Sequence, residues 1–246
     1  LKRFLLALAC CVLVSGAPHG AAYAQPDPAQ CVAGLSQTEL EALLRRVEPE
    51  LRASQRPTRL WFGTWVTFNA VVAAVSAGLA TLPGLEPEWR DSNLLSAGAA
   101  GLALVLIVSP PPPNLRVEHK LGSAKHVAPR ERLLRALRMI EAGAAQERFL
   151  RSGTAQVGNA AIALAQGMYL GLRYDDGDGA KAAAANSLSS WLVGEAQILT
   201  SPRALTRLQD ALVRERAACV RPPPEPERLA FQLLVAPQGL GARIRF

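Results

Sequence analysis

Leu40, Leu43, Leu44, Val47 and Leu51 recur at helical spacing, and Ser36 with Glu39 three residues later forms a capping box ahead of them. A helix is therefore expected from Ser36, with a kink or an end near Pro49, which lacks an N–H and crowds the preceding turn. The pattern then changes character: Leu60 to Leu82 is uncharged and about as long as a bilayer span requires. Trp61 and Trp65 stand at its start, where amphipathic rings favour a membrane interface. Ala70, Ala74 and Gly78 fall four apart, as do Ala73, Ala77 and Thr81, leaving two faces without bulk for another helix to approach. Pro83-Gly84 ends the segment, and a polar turn leads to a second apolar run, Leu94 to Val108.

A similar order of elements follows the proline run 110–113, which is expected to be an extended spacer. Pro129 suits a first helical turn, and Leu133, Leu134, Leu137, Ile140 and Phe149 make an amphipathic stripe. Gly153 to Leu172 is a more polar apolar segment carrying Gln156, Asn159 and Gln166, and its return helix from Ala182 meets Glu195. A charge in mid-membrane costs several kcal/mol unless sheltered, so this second hairpin reads as a poor span and a fair protein-sheltered helix pair. Ser201 and Pro202 open a last helix running to about Cys219, and LAFQLLV and ARIRF around a Pro/Gly turn read as two short strands.

A shift of 90 positions lays Gly63-Thr64 on Gly153-Thr154, Asn69-Ala70 on Asn159-Ala160, and EALLRR on ERLLRA. Such a period predicts one supersecondary unit that packs against its copy because it cannot bury its apolar face alone. The expected fold is mainly α: duplicated helical-hairpin units, each an amphipathic helix plus an apolar helix pair, with a short C-terminal β-hairpin. The expected boundaries are a signal peptide at 1–24, a tether at 25–35, a first unit at 36–108, a Pro-rich linker at 109–128, a second unit at 129–219, and a Pro-rich linker with the hairpin at 220–246.

The export signal rests on Lys2 and Arg3, the apolar run Phe4 to Val14, and Ala22-Tyr23-Ala24 before a cleavage point at Gln25. Leu1 in place of Met reads as an alternative bacterial start codon. After cleavage Cys31 and Cys219 remain; in an oxidising compartment they either pair, closing a very long loop, or stay as thiols. Export sits uneasily with charge. If both hairpins cross an inner membrane, the connector 110–152, which holds most of the arginines, lies outside, against the positive-inside tendency.

Composition adds little chemistry. Half the residues are apolar and the formal charge is +7, spread along the chain rather than gathered into a nucleic-acid stripe. His119 and His126 lack a metalloprotease spacing, and Asp175-Asp176-Gly177-Asp178-Gly179 opens like a calcium loop but has no acid at the twelfth position. Phosphate-binding and nucleophile-elbow motifs are missing, so no cofactor, metal or catalytic residue is assigned and an enzyme is disfavoured. Glu195 is the one acid within an uncharged stretch, and Asn69 and Asn159 are expected at helix interfaces. The expectation is a bacterial cell-envelope protein with a structural or interaction role. Its partners would be the membrane, itself or another envelope protein, and no nucleic acid. A soluble periplasmic helical binding module is the alternative.

Overall fold

The computed structural model describes residues 28–122, 127–174 and 177–214, together with the backbone of 230–236 and 239–245. The chain is mainly helical. Its helices are α1 (Pro28–Gly34), α2 (Gln37–Ala53), α3 (Gln55–Leu79), α4 (Pro87–Val108), α5 (Val117–Gly122), α6 (Pro129–Leu150), α7 (Gly153–Arg173), α8 (Gly177–Thr200) and α9 (Ala204–Arg214). A 3-10 turn, Pro113–Arg116, precedes α5.

These helices build two layers that differ in what they bury and what they leave exposed. In the first, α1, α2, α5, α6 and α9 bury aliphatic side chains as a water-soluble domain does. Val32, Leu40, Leu44, Leu133 and Leu137 form one cluster. Val47, Leu51, Val117, Leu121, Ala136, Met139, Ile140, Ala144, Leu205, Leu208 and Leu212 form the other. Each such leucine removed from water contributes about 1.5–3 kcal/mol before chain entropy is counted.

Local signals fix the ends of these helices. Ser36 caps α2: its backbone N–H donates to Glu39 Oε2 at 2.9 Å and its Oγ accepts from Glu39 N at 3.4 Å. The Ser36 hydroxyl, which donates to the Glu39 carboxylate at 2.6 Å, and after it the Ser36 N–H hold that carboxyl below its ordinary pKa. At the start of α9, Glu147 reaches over from α6 and accepts from Leu205 N (3.2 Å), Thr206 N (2.8 Å) and Thr206 Oγ1 (2.9 Å). An anion beside the free amides of a helix N-terminus stabilises it. Glu147 is buried, and that burial raises its pKa despite the three donors.

The second layer consists of α3, α4, α7 and α8, arranged as two hairpins, α3 with α4 and α7 with α8, that pack together mainly through α4 and α8. Their lengths of 25, 22, 21 and 24 residues correspond to roughly 31–38 Å at a rise of 1.5 Å per residue. The stretches Gln37–Leu79 and Pro87–Val108 are long and apolar enough to cross a membrane, and only 11% and 22% of their most apolar windows are buried.

Three expectations need correction. Residues 25–35 are not simply a tether, because α1 forms within them and its Val32 packs at 1% exposure against Leu40 and Leu133. Nor does the linker at 109–128 stand off as a spacer. Pro113–Arg116 and α5 fold back onto the first layer with Val117 and Leu121 buried, and Asn114 Nδ2 donates to Ser54 O (3.3 Å), Ser54 Oγ (3.2 Å) and Thr58 Oγ1 (2.7 Å). Finally, α2 runs through Pro49 to Ala53, since Pro49 is exposed while Val47 and Leu51 on either side anchor the core face. The signal segment 1–24, His126, Asp175, Asp176 and Cys219 lie outside the described residues, and so does any bridge from Cys31 to Cys219.

Replacing Glu147 with Ala removes the cap of α9 and strands two amide donors. A loss of about 1–3 kcal/mol is expected, read as a lower midpoint in denaturant titrations followed by circular dichroism. A raised folded-state pKa means that the carboxyl favours folding below its ordinary range, and that this contribution is lost as pH rises through the raised value. Glu147→Gln removes that segment of the stability–pH curve while leaving the curve elsewhere unchanged.

Candidate functional site

Helix α8 is the element on which the polar chemistry of the second layer converges. Asn69 on α3, 3% exposed, donates through Nδ2 to Trp65 O at 2.8 Å and to Gln197 Oε1 on α8 at 3.5 Å. Asn159 on α7 donates to Trp191 O and to Glu195 Oε1, both at 3.1 Å. Asn186, 4% exposed, points from α8 to α4 and donates to Ser92 O (3.0 Å), Ser92 Oγ (3.0 Å) and Ser96 Oγ (2.9 Å). Three asparagines thus tie α8 to each of its three neighbours.

Small residues make this approach possible. A Cβ on Gly194 would run into the amide of Asn159, and one on Gly167 would meet Ser187 Oγ across the α7–α8 seam. Ala163 and Ala182 are also buried there, with Leu95, Ile107 and Leu170 as the bulkier members of the interior. Gln166, 3% exposed, leaves its Oε1 without a donor, as Asn186 leaves its Oδ1. The outward faces carry Leu60, Phe68, Val71, Val75, Leu79, Val105, Leu106, Val157, Leu164, Met168, Leu172, Leu188, Leu192 and Leu199, all exposed. The interior of this layer thus mixes amide side chains with small and aliphatic ones, while many large apolar side chains remain on its outside.

The two ends of the bundle are closed differently. At the end joined to the first layer, Trp61 Nε1 donates to Gln197 O (3.3 Å) and Trp65 Nε1 to Thr200 Oγ1 (3.1 Å). Arg151 Nε donates to Ser201 Oγ at 3.0 Å, and its guanidinium also reaches the Leu199 carbonyl. At the tips, Asp91 Oδ2 accepts from Tyr174 OH (3.0 Å), Tyr169 OH (3.2 Å) and Arg173 Nε (2.9 Å). The Arg173 guanidinium carbon lies 5.8 and 5.6 Å from the Tyr169 and Tyr174 ring centres. One carboxylate of the first hairpin is thereby clasped by three side chains of the second.

Of the residues singled out by sequence, Asn69, Asn159 and Glu195 meet this seam, and His119 does not, being an exposed residue of α5. Asn186, Gln197 and the Asp91 cluster escaped sequence reasoning. Polar residues in an otherwise apolar return helix were the available signal for the first two. Among the described residues no group of three His, Cys, Asp or Glu is arranged to hold a metal ion. An open groove of about 400 Å³ between α2 and α6 is lined by Glu41, Arg45, Glu48, Arg52 and Arg132, whose charges pair with one another, and it contains neither His119 nor Glu195. Comparison with protein-family models, curated proteins and solved structures finds no match.

Gly194→Ala is expected to displace the Asn159 amide from Trp191 and Glu195 and to destabilise by about 1–3 kcal/mol. Gly98→Ala, on an exposed helical surface with nothing within 4 Å, is expected to be neutral or to stabilise by up to about 1 kcal/mol. Denaturant titration of the purified protein, followed by circular dichroism, separates the two.

Proposed function

We propose that this chain is a bacterial cell-envelope protein whose hairpins α3–α4 and α7–α8 lie in the lipid bilayer as a four-helix bundle, while the first layer forms a cap at the membrane surface. Its role in this reading is structural or interactive rather than catalytic. The observation that carries it is the inverted polarity of the bundle: Asn69, Asn186 and Gln166 are buried while Leu60, Val71, Val105, Leu164, Met168 and Leu172 are exposed. In water that arrangement leaves a large apolar surface uncovered, whereas in hydrocarbon these apolar side chains find a favourable solvent, and the exposed Gln156 lies in the first turn of α7, near the bundle's base.

Spacing supports the same reading. Arg151 and Arg173 stand at opposite ends of α7, about 33 Å apart along the axis at 1.5 Å per residue, close to the thickness of a hydrocarbon core. Trp61 and Trp65 sit at one end, and Trp89, Tyr169 and Tyr174 at the other, as two interfacial belts would. The sequence objection to the second hairpin loses force, because Glu195 is engaged by Asn159 and Gln166 and Asn186 face inward. We further propose that the two hairpin units are duplicates. Asn69 and Asn159 each lie on the first helix of a hairpin and each reach α8, although Asn69 does so across the bundle and Asn159 within its own hairpin. The secretory signal, the envelope location and the terminal strand pair belong to the same proposal.

Fractionation tests it. The protein is expected to stay with membranes through alkaline carbonate washing and to require detergent for release. Recovery in the osmotic-shock fluid without detergent would instead favour the soluble periplasmic module.

A further inference from the structure

Where the two layers meet, arginines gather around the end of the bundle. Arg56 and Arg59 lie in the first turns of α3, just before Leu60. Arg116 closes the 3-10 turn, which is held against α3 by the bond from Gln55 Nε2 to Leu115 O (2.8 Å). Arg203 and Arg207 follow directly after α8, whose end is tied to α3 by Trp65 and Thr200. Arg151 sits in the turn between α6 and α7 and binds Ser201. These bonds bring the base ends of α3, α7 and α8, and the turn that follows α4, to one level.

Their partners differ in a way that matters. Arg59 pairs with Glu118 at 3.6 Å, and Arg151 is spent on Ser201 and the carbonyls beside it. Arg56, Arg116, Arg203 and Arg207 are exposed and, among the described residues, have no ion pair or side-chain hydrogen bond. The tips are opposite in character. Their sequence holds Glu86, Glu88, Asp91, Asp175, Asp176 and Asp178 against Arg90, Arg173 and Lys181, and the last two pair with Asp91 and Asp178.

We propose that Arg56, Arg116, Arg203 and Arg207 form a collar that binds the headgroups of anionic phospholipids in the leaflet next to the first layer. The proposal rests on the bilayer reading above and adds a lipid chemistry and a polarity to it. A guanidinium at the polar–apolar boundary meets phosphate at the depth where headgroups lie, and its planar donors match phosphate oxygens. Exposed basic residues next to an anionic leaflet each gain roughly fivefold in local binding. At the tips Arg90 stands alone among more numerous acids, whereas the base gathers four exposed arginines, so the molecule has one lipid-selective end.

The test uses the full chain reconstituted in phosphatidylcholine vesicles that contain brominated phosphatidylglycerol or an equal amount of brominated phosphatidylcholine, with quenching of intrinsic tryptophan fluorescence as the readout. Trp65, tied to Thr200 at the collar, is the native reporter. Stronger quenching by the brominated anionic lipid is expected, with a severalfold preference that falls to parity in the variant R56Q/R116Q/R203Q/R207Q and persists in R90Q at the tip. Because the combined variant could fold poorly, salt is the second arm: about 0.5 M NaCl screens exposed charges and should remove the preference from the unaltered protein. Equal quenching by both lipids at low salt, or a preference that survives in the combined variant, overturns the collar alone. Failure to float with vesicles of either composition overturns the bilayer reading and the collar with it.

Discussion

A polar side chain buried beside α8 must find its hydrogen-bond partner on a neighbouring helix, and the rest of the bundle is arranged around that requirement. An unpaired amide removed from water costs about 1–3 kcal/mol, so Asn69, Asn159 and Asn186 specify which helices touch and at what height. Slide α8 by one turn and Asn186 leaves Ser92 and Ser96 while Gln197 leaves Asn69. Greasy faces alone impose no such register. The modest worth of each bond in an apolar medium, about 0.6 kcal/mol on average, matters less than the cost of breaking several at once.

The first layer works by the complementary rule. Its helices gain from excluding water, so leucines at helical spacing on α2, α6 and α9 suffice to hold it, and polar groups enter its interior only as caps and ties such as Glu147 and Asn114. Both layers share continuous pieces of chain, since α2 leads into α3 at Ser54 and α6 into α7 at Ser152. At those two joints the buried face changes from apolar to polar. Asn114 clamps the first joint, and Ser152 Oγ, accepting from Ala155 N at 3.2 Å, caps the helix after the second.

Much of this was legible in the sequence because local signals and periodicity agreed. The Ser36–Glu39 capping box, the leucine stripes of α2 and α6 and the long uncharged segment from Leu60 each name their own element. What could not be read was which way each face turns. The uncharged stretch of α3 has no strong periodicity, and only the positions of Gln197 and Trp65 reveal that Asn69 faces in while Phe68 faces out. The Pro-rich linker misled for a related reason. Prolines predict an extended chain, yet the docking of 113–122 is decided by Asn114, Val117 and Leu121 meeting partners distant in sequence. The Asp91 clasp likewise joins residues about 80 positions apart through contacts that no spacing encodes.

Charge placement then bears on how such a bundle would enter a bilayer. The arginines lie with the first layer and the acids at the tips, and the positive-inside tendency would place the arginine-rich side in the cytoplasm. A cleaved export signal would put that same side across the inner membrane, so for a bundle in that membrane the two pull against each other. In the proposed bilayer arrangement each hairpin would enter by its tip from whichever side holds the first layer, α4 and α8 would return the chain to that side, and only the short turns would cross. Those turns carry Glu86, Glu88, Asp91, Asp175, Asp176 and Asp178 as well as Arg90, Arg173 and Lys181, and the pairs Arg173–Asp91 and Lys181–Asp178 lower the charge that would have to be moved through hydrocarbon. Moving the much larger first layer, with its many arginines, would be far costlier, so the two layers divide insertion as they divide polarity.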